Sequence, residues 1–520
     1  MLNQTRGKIE KNSARSIIFA CIITLNLAMS VFAVTPKDPK AWVRAAIEAM
    51  GGETQLKNLR SLKFEAIGHR FWVEQSERPE GPWIVSYDQI TESRDLTNNK
   101  ILRATQSKME QLPNWNGTSL IIADGVAMRT VGTRKIPGQV AEVEQAKEDL
   151  ATSPEKVLLN ALAATDLRAE SDTLLQGVPH HVVVFTLNGN LTRLFLNANT
   201  ALPTGVETVR AYPDFFWGIW GDVKMRTLFS YWTLEAGGIR YPKQWDIYGN
   251  GIPNKSLTLT KLEFNAAIAP DSFAIPDEVR KAFEANASKA ITLHTIALGQ
   301  MGRPVQEITP DLIQIPGAWN VVLIRQSDGI VILESPISSE YSAKVIEETA
   351  KRFPNAPIKA VITTSDAWPH FGGLREYVAR GIPVYALDLN QPILERLIAS
   401  SHRLIPDALT RAPKKPRFAM VSKKTVIGEG KNRIELYPIR TEAGERMMMA
   451  YFPEHRMLYA SDLIQFGGGN FFMPQYLAEV MDAVNREHLT VDKVFAMHLT
   501  LMDWKKITDA VEKAKMPASN

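Results

Sequence analysis

The order of hydrophobic and polar positions divides this chain into a strand-rich part and a part in which strands and helices alternate. Residues 61–265 carry short β-rich runs separated by turn residues, and a charged and then apolar stretch at 141–166 favours one or two helices. From residue 311 onwards, apolar strands alternate with amphipathic helices. The pattern therefore predicts a mixed α/β protein whose antiparallel strands come first.

The segment 358–385 is the unit around which the second part is organised. An apolar run, Ala360 to Ile362, leads into a small polar loop, and Gly372-Gly373 then opens an amphipathic segment that ends at Gly381 before another apolar run. This order predicts a strand, a loop, a helix and a second strand. The loop follows the carboxyl end of a strand, where α/β folds place their chemistry.

This segment resembles the signature of the metallo-β-lactamase fold, Thr-His-x-His-x-Asp-His-x-Gly-Gly. Aligned on Gly372-Gly373, the signature also matches at Thr364 and His370. A hairpin predicted around residues 327–329 precedes the segment, and the order of elements follows that of the family as far as the terminal helix. The resemblance implies an αββα metallo-β-lactamase-like sandwich over residues 307–515.

In the resembled family two zinc ions lie where strand ends converge, and this chain departs from the first of those sites. Ser365 and Ala367 stand where the signature has its two early histidines, and the loop 441–444, which would supply the third, contains no histidine. Alkyl and hydroxyl side chains do not replace imidazoles as zinc donors. The first site cannot form from these residues.

The second site retains most of its donors. His370 matches the last histidine of the signature. Asp462 ends a segment that matches the one in which the family has the aspartate shared by its two zinc ions, and His498 at the end of the last strand matches the last ligand. Pro369 replaces the signature aspartate. The resemblance thus implies one zinc ion on His370, Asp462 and His498, and three protein ligands with a water are typical of catalytic zinc.

Each of these three residues also has a structural interpretation. His370 begins a helix, Asp462 follows a strand, and His498 could be a hydrogen-bonded core imidazole. Two further residues, Asp366 beside a ligand position and His402 on a segment that borders the cleft in this fold, are the candidate catalytic groups. Ordinary loop solvation is the alternative for both.

The strand-rich part, residues 36–280, is expected to form a mainly antiparallel half-barrel. The sequence that ends this part and the segment 238–242 resemble those of the lipoprotein-carrier-like domains of the periplasm. This resemblance implies a concave apolar face that could hold an acyl chain or a partner. Residues 281–306 are expected to be a linker. A cluster of aromatic residues would suit the concave face or fill the core: Phe215, Phe216, Trp217, Trp220, Tyr231 and Trp232.

The amino terminus has the pattern of a secretory signal peptide. Four basic residues precede an apolar run from Ile17 to Phe32, and a small-residue cleavage pattern ends at Ala33. Residues 1–33 would then be removed and the protein would be periplasmic or secreted, with no integral membrane segment left. An uncleaved anchor is the alternative, although the run is short for a bilayer span.

Cysteine use and charge narrow the chemistry. The single cysteine, Cys21, lies inside the apolar run, so a cleaved chain has no thiol and must hold any metal by His, Asp or Glu. An acylated Cys21 is a minor alternative. Cleavage also removes four basic residues and one acidic residue, which leaves the chain near neutral and gives no indication of a nucleic-acid partner.

Two functions follow from this pattern. The first is a single-metal hydrolase acting on an ester, lactone, amide or phosphoester of a small-molecule substrate. The second is a non-catalytic binding protein, a pseudoenzyme whose cleft and half-barrel hold a lipid or a partner. Signatures of a serine-hydrolase elbow, a P-loop and a complete dinucleotide fingerprint are missing from the sequence.

Overall fold

A computed structural model describes residues 38–73, 81, 83–109, 112–214, 216–287, 292–299, 304–467 and 469–515. The described residues from Pro39 onwards form one compact unit. The mixed α/β class is confirmed, whereas the boundaries at 36–280, 281–306 and 307–515 stay predictions. The expected signal peptide, residues 1–33, lies outside the described residues, as does Phe215. No helix in the described part of the chain is long and apolar enough to cross a membrane.

The first part of the chain forms a 14-stranded sheet in which every pairing is antiparallel. Its order is β6-β5-β4-β3-β2-β1-β14-β13-β12-β11-β10-β9-β7, with β8 beside β9. Its strands are β1 Ser61–Phe71, β2 Val85–Asp95, β3 Lys100–Met109, β4 Leu112–Ala123, β5 Val126–Val131, β6 Arg134–Pro137, β7 Arg168–Ala169, β8 Thr173–Leu175, β9 Val178–Leu187, β10 Asn190–Asn197, β11 Pro203–Ala211, β12 Asp222–Leu234, β13 Arg240–Gly249 and β14 Ile252–Phe264.

Helices cover the sheet and supply part of its core. They are α1 Pro39–Ala49, α2 Glu53–Lys57, α3 Val140–Ala151, α4 Pro154–Ala163 and α5 Asp277–Ala287. The apolar faces of α1 and α4 are buried with the inward residues of the strands in one cluster. The one or two helices expected at 141–166 are confirmed as α3 and α4. Residues 281–287 of the expected linker belong to α5.

The second part contains two mixed sheets. One has the order β15-β16-β17-β18-β19-β20-β21 and the other β22-β23-β24-β25-β28-β29, and β26 and β27 form a separate hairpin. Their strands are β15 Gln306–Thr309, β16 Leu312–Ile315, β17 Val321–Gln326, β18 Gly329–Leu333, β19 Ile358–Ile362, β20 Val384–Leu387, β21 Phe418–Val421, β22 Thr425–Ile427, β23 Ile434–Pro438, β24 Met448–Phe452, β25 Met457–Tyr459, β26 Phe466–Gly467, β27 Asn470–Phe471, β28 Lys493–Ala496 and β29 Leu499–Asp503.

These two sheets pack face to face with helices on both outer faces. Leu333 and Ile362 of the first sheet share a buried cluster with Phe452 and Phe495 of the second. Separate clusters join the first sheet to α6, α8 and α9 and the second sheet to α11 and α12. The helices are α6 Ser339–Arg352, α7 Trp368–Phe371, α8 Leu374–Arg380, α9 Gln391–Ala399, α10 Ala408–Arg411, α11 Pro474–Arg486 and α12 Trp504–Lys515. The layers therefore run helix, sheet, sheet, helix.

One turn of 3₁₀ helix from the first part, Trp217–Trp220, packs against α7 of the second. The rings of Trp217 and Trp220 each lie 5.0 Å from that of Trp368, edge to face. Gly372, just after α7, has no room for a side chain, because a Cβ there would lie 2.8 Å from Ile219 Cγ2 and 2.6 Å from a backbone oxygen of the loop before α6. This contact fixes α7 from the side of the antiparallel sheet.

Candidate metal centre

His370 lies on α7, which follows β19 and the loop 363–367. The side chain is 1% exposed. Among the described residues neither ring nitrogen has a hydrogen-bond partner of good geometry. A buried polar atom without a partner is costly, so this imidazole lacks the bonds expected of a structural histidine.

Asp462 and His498 come together because their strands are neighbours. Asp462 lies three residues beyond the end of β25 and His498 two beyond the end of β28, and these strands pair in parallel. Carboxyl ends of parallel strands meet at the same sheet edge. A bridge between Gln465 and His498, and a 3.0 Å hydrogen bond from Met497 N to Ser461 O, hold the two segments together.

The three predicted ligands converge. His370 Nε2 lies 3.4 Å from Asp462 Oδ2, and His498 Nε2 lies 3.0 Å from Asp462 Oδ1. One donor atom from each residue lies within 4.8 Å of the others. Two donors on one tetrahedral zinc ion, each about 2.1 Å from it, are about 3.4 Å apart. The residues therefore fit a single ion, and two imidazoles with one carboxylate are a donor set that zinc accepts.

The charges of the three groups are complementary. Burial raises the pKa of the Asp462 carboxyl, but the charge of the nearby His370 imidazole and the contact with His498 outweigh it and hold the pKa well below its usual range. Burial lowers the pKa of His498, and the hydrogen bond to Asp462 and the charge of that carboxylate raise it above the ordinary value. Asp462 is therefore ionised at neutral pH, as a metal ligand must be.

Within the described residues, these three form the only group of three or more His, Asp or Glu side chains with this spacing. At the family's other metal position, the hydroxyl of Ser365 accepts a hydrogen bond from Ala367 N. The loop 441–444 is held by Glu479, which accepts from Ala443 N and Gly444 N. Ser365 and the loop 441–444 thus take part in local hydrogen bonds that involve backbone N–H groups.

A buried network behind the site connects its segments. Glu334, at the end of β18 with φ 78°, accepts hydrogen bonds from Thr364 Oγ1 and, at 3.1 Å, from Tyr459 Oη. Thr364 Oγ1 also lies 2.7 Å from Ser461 Oγ. Burial raises the pKa of Glu334, although the charge of His370 and the hydrogen bonds from Thr364 and Tyr459 oppose it. The network ties the signature loop to the segment that carries Asp462.

Gln465 is a direct partner of a candidate ligand. Its Nε2 donates to Asp462 Oδ1 at 3.0 Å. Residues that orient a ligating carboxylate contribute to metal affinity.

We therefore expect Gln465→Leu to weaken zinc binding about tenfold, because the carboxylate loses its donor while the ligands stay in place. Competition with a chromogenic chelator measures this. Gln475→Leu, on the exposed first turn of α11, is the matched control and should leave the affinity unchanged. Equal affinities for the wild type and Gln465→Leu would contradict the orienting role.

Neither candidate catalytic residue belongs to the group of His370, Asp462 and His498. Asp366 is buried in the loop between β19 and α7, and it is not a member of the group whose donor atoms lie within 4.8 Å of one another. His402 lies between α9 and α10, with Nε2 3.1 Å from Ser400 Oγ and Nδ1 3.8 Å from Asp407 Oδ2. Their catalytic roles stay predictions.

The surroundings of His402 form a second buried polar cluster. Arg375 binds Asp407 with two hydrogen bonds, Nε to Oδ2 at 2.5 Å and Nη2 to Oδ1 at 3.1 Å. Burial and the charge of Arg375 lower the pKa of His402 to about 4, so the imidazole is neutral at pH 7. The loop also anchors the antiparallel sheet, since Asp222 accepts from Ser401 Oγ and from the Leu404 N–H.

This ion pair predicts a pH-dependent stability. Burial raises the pKa of Asp407, but the hydrogen bonds and charge of Arg375 outweigh it and hold the folded-state pKa below that of the unfolded chain. The stabilisation is thus present above about pH 4 and is lost as pH falls. Asp407→Asn should cost about 3 kcal/mol at pH 7, because it leaves a buried guanidinium without its anion.

Urea unfolding at pH 7 and pH 3 measures the difference between the wild type and Asp407→Asn. We expect the difference in unfolding free energy to shrink at pH 3. Asp388→Asn is the control, because the Asp388 side chain is exposed, and it should leave the free energy of unfolding unchanged at both pH values. A difference that is the same at both pH values would contradict the assignment.

Sequence reasoning missed the roles of Glu334 and Gln465. Glu334 directly follows the apolar run 330–333, and an acidic residue at the end of such a run was the available signal. Gln465 had a weaker signal, a polar residue three positions after Asp462. Its contact with the carboxylate depends on the turn at 461–464.

No protein-family model and no curated protein matches the chain. Solved structures match part of it. The sec-alkylsulfatase Pisa1 from Pseudomonas sp. is 16% identical over 42% of this chain and 41% of that chain, with a TM-score of 0.31. The metallo-β-lactamase from Pontibacter korlensis is 13% identical over 42% of this chain and 98% of that chain, with a TM-score of 0.32.

The DIM-1 metallo-β-lactamase gives similar values: 12% identity, 41% of this chain, 96% of that chain and a TM-score of 0.31. These three structures are two metallo-β-lactamases and a sec-alkylsulfatase, and this chain spans less than half the length of the alkylsulfatase.

Proposed function

We propose that this protein is a hydrolase that uses one zinc ion held by His370, Asp462 and His498, within a metallo-β-lactamase-like αββα fold. The observation that carries the proposal is the convergence of the three donors around a buried imidazole whose ring nitrogens lack other partners among the described residues. The proposed reaction is hydrolysis of an ester, lactone, amide or phosphoester. Zinc, when bound, supplies a hydroxide at neutral pH by lowering the pKa of water to about 7.

The protein's own residues set the conditions for this chemistry. His370 is fixed by the packing of α7, so its ring has little freedom to leave the site. Asp462 is ionised and oriented by Gln465. His498 is 27% exposed, which leaves that side of the site open to solvent and substrate. Asp366 and His402 are the proposed catalytic residues, with His402 as a proton donor or a substrate contact.

Metal analysis of the purified mature protein, combined with a panel of ester, lactone, amide and phosphoester substrates, tests the proposal. We expect about one equivalent of zinc and hydrolysis of at least one class, lost on chelation and restored by zinc. Chelation should also lower the melting temperature, because the ion binds the folded state. Full activity in the chelated protein would contradict the proposal.

A second candidate function is ligand binding without catalysis, and one observation favours it. A cavity of about 1500 Å³ lies on the antiparallel sheet, and its lining combines aromatic side chains such as Phe64, Phe229 and Trp245 with charged ones such as Arg94 and Arg103. A lipid would suit it, and nucleic acid is not an expected partner. Metal-free protein whose melting temperature is unchanged by chelation would favour this function.

We also propose that the protein is exported to the periplasm or secreted, because residues 1–33 have the pattern of a signal peptide. Sequencing the amino terminus of the exported protein tests cleavage after Ala33. A mature chain that begins at Met1 would contradict it.

A further inference from the structure

The segment that follows Asp462 is a short hairpin made of β26 and β27. Phe466 pairs with Phe471, and Phe472 N donates to Gln465 O at 3.0 Å, so Gln465 and Phe472 also lie opposite each other. Gln465 forms the bridge to His498. The hairpin therefore adjoins two of the three candidate ligands.

The pairing decides which side chains share a face. Directly opposed residues point to the same side of a hairpin, and successive residues point to opposite sides. Phe466 and Phe471 share one side, and their rings are 5.0 Å apart in a T-shaped contact. Gln465 and Phe472 share the other side. Because Gln465 Nε2 donates to Asp462 Oδ1, that second side faces the candidate metal centre.

Phe472 is 41% exposed although it is a large apolar residue. The ring of Trp319 lies 6.3 Å from that of His498, so a second aromatic side chain is next to the exposed ligand. An exposed phenylalanine beside an open ligand position is a surface on which an apolar group can be buried.

We propose that Phe472 is a substrate-binding residue and that the substrates carry an apolar group, an alkyl chain or an aryl ring, next to the bond that is cleaved. This inference rests on the proposed function, because it places the substrate at the metal centre. The hairpin contributes apolar contact area and carries no charge at residues 466–467 or 469–472. Apolar burial on Phe472 favours long acyl groups over short ones.

Calorimetric titration of the zinc-loaded full chain with acetohydroxamate and octanohydroxamate tests this without any turnover. Both probes carry the same zinc-binding group and differ in chain length. We expect octanohydroxamate to bind the wild type about tenfold more tightly. Phe472→Ala should remove most of that preference and leave the acetohydroxamate affinity unchanged.

Phe466→Ala is the matched control, since Phe466 is equally exposed but lies on the opposite side of the hairpin, and it should keep the wild-type preference. Phe472→Leu retains an apolar side chain and should keep part of the preference for octanohydroxamate. Zinc-loaded protein in which Phe472→Ala keeps the full preference would overturn this inference and leave the proposed function standing. Wild-type protein that binds no zinc would overturn both.

Discussion

Replacing His370 by alanine is expected to reduce bound zinc from about one equivalent to background. The imidazole is one of three donors, and two remaining donors seldom retain zinc through desalting. It is also buried, so no neighbouring side chain or bulk solvent can easily take its place. Elemental analysis of protein that has been loaded with zinc and desalted measures the effect.

His402→Ala is the control for this experiment. His402 is also largely buried, but its partners are Ser400 and Asp407 and it lies outside the ligand group. It should retain the wild-type zinc content. Zinc that persists in His370→Ala and disappears in His402→Ala would contradict the assignment of the ligands.

Replacing Trp220 by alanine is expected to destabilise the protein by about 3–5 kcal/mol. Trp220 is 3% exposed, and its ring contacts Trp368 at 5.0 Å and Phe371 at 6.3 Å. The guanidinium of Arg396 lies 5.3 Å from the same ring. Because Trp368 and Phe371 flank His370 on α7, the cavity would also loosen the histidine, and zinc affinity should fall about tenfold.

Urea unfolding and chelator competition measure these two effects. Trp115→Ala is the matched control, because Trp115 is 45% exposed on β4, and it should change stability by less than about 0.5 kcal/mol. A Trp220→Ala variant of lower stability but unchanged zinc affinity would show that the packing of α7 does not tune the site. Unchanged stability would contradict the packing account itself.

The sequence was sufficient to predict that His370, Asp462 and His498 lie close together. His370 follows a buried strand and precedes two glycines, and Asp462 and His498 follow runs of apolar residues. Asp462 and His498 follow neighbouring parallel strands of one sheet, whose carboxyl ends meet at the same edge. His370 follows a strand of the other sheet, so its place beside them came from the matched signature and not from strand order. The structure places the donor atoms within reach of one another, as the matched positions implied.

The sequence could not decide what the aromatic cluster does. Trp217 and Trp220 are buried, whereas Tyr231 is 69% exposed, so the cluster serves no single purpose. Trp217 both contacts Trp368 and lines the large cavity. Such contacts join segments about 150 residues apart, and no local pattern encodes a pairing at that separation.

The hydrogen-bond partners of Glu334 could not be predicted from the sequence either. Its hydrogen bonds come from Thr364 and Tyr459, which are 30 and 125 residues away in the chain. A buried carboxyl is tolerated only where donors converge on it, and their convergence depends on how three strands are packed. Residue type and burial can be predicted at such a position, but partners cannot.

If His370, Asp462 and His498 share one metal ion, anomalous diffraction at the zinc absorption edge will show it in crystals of the zinc-loaded protein. We expect a single peak about 2.0–2.2 Å from one nitrogen of each imidazole and from an oxygen of Asp462. A peak that avoids any of the three side chains, or no peak in protein that has been saturated with zinc, would contradict it.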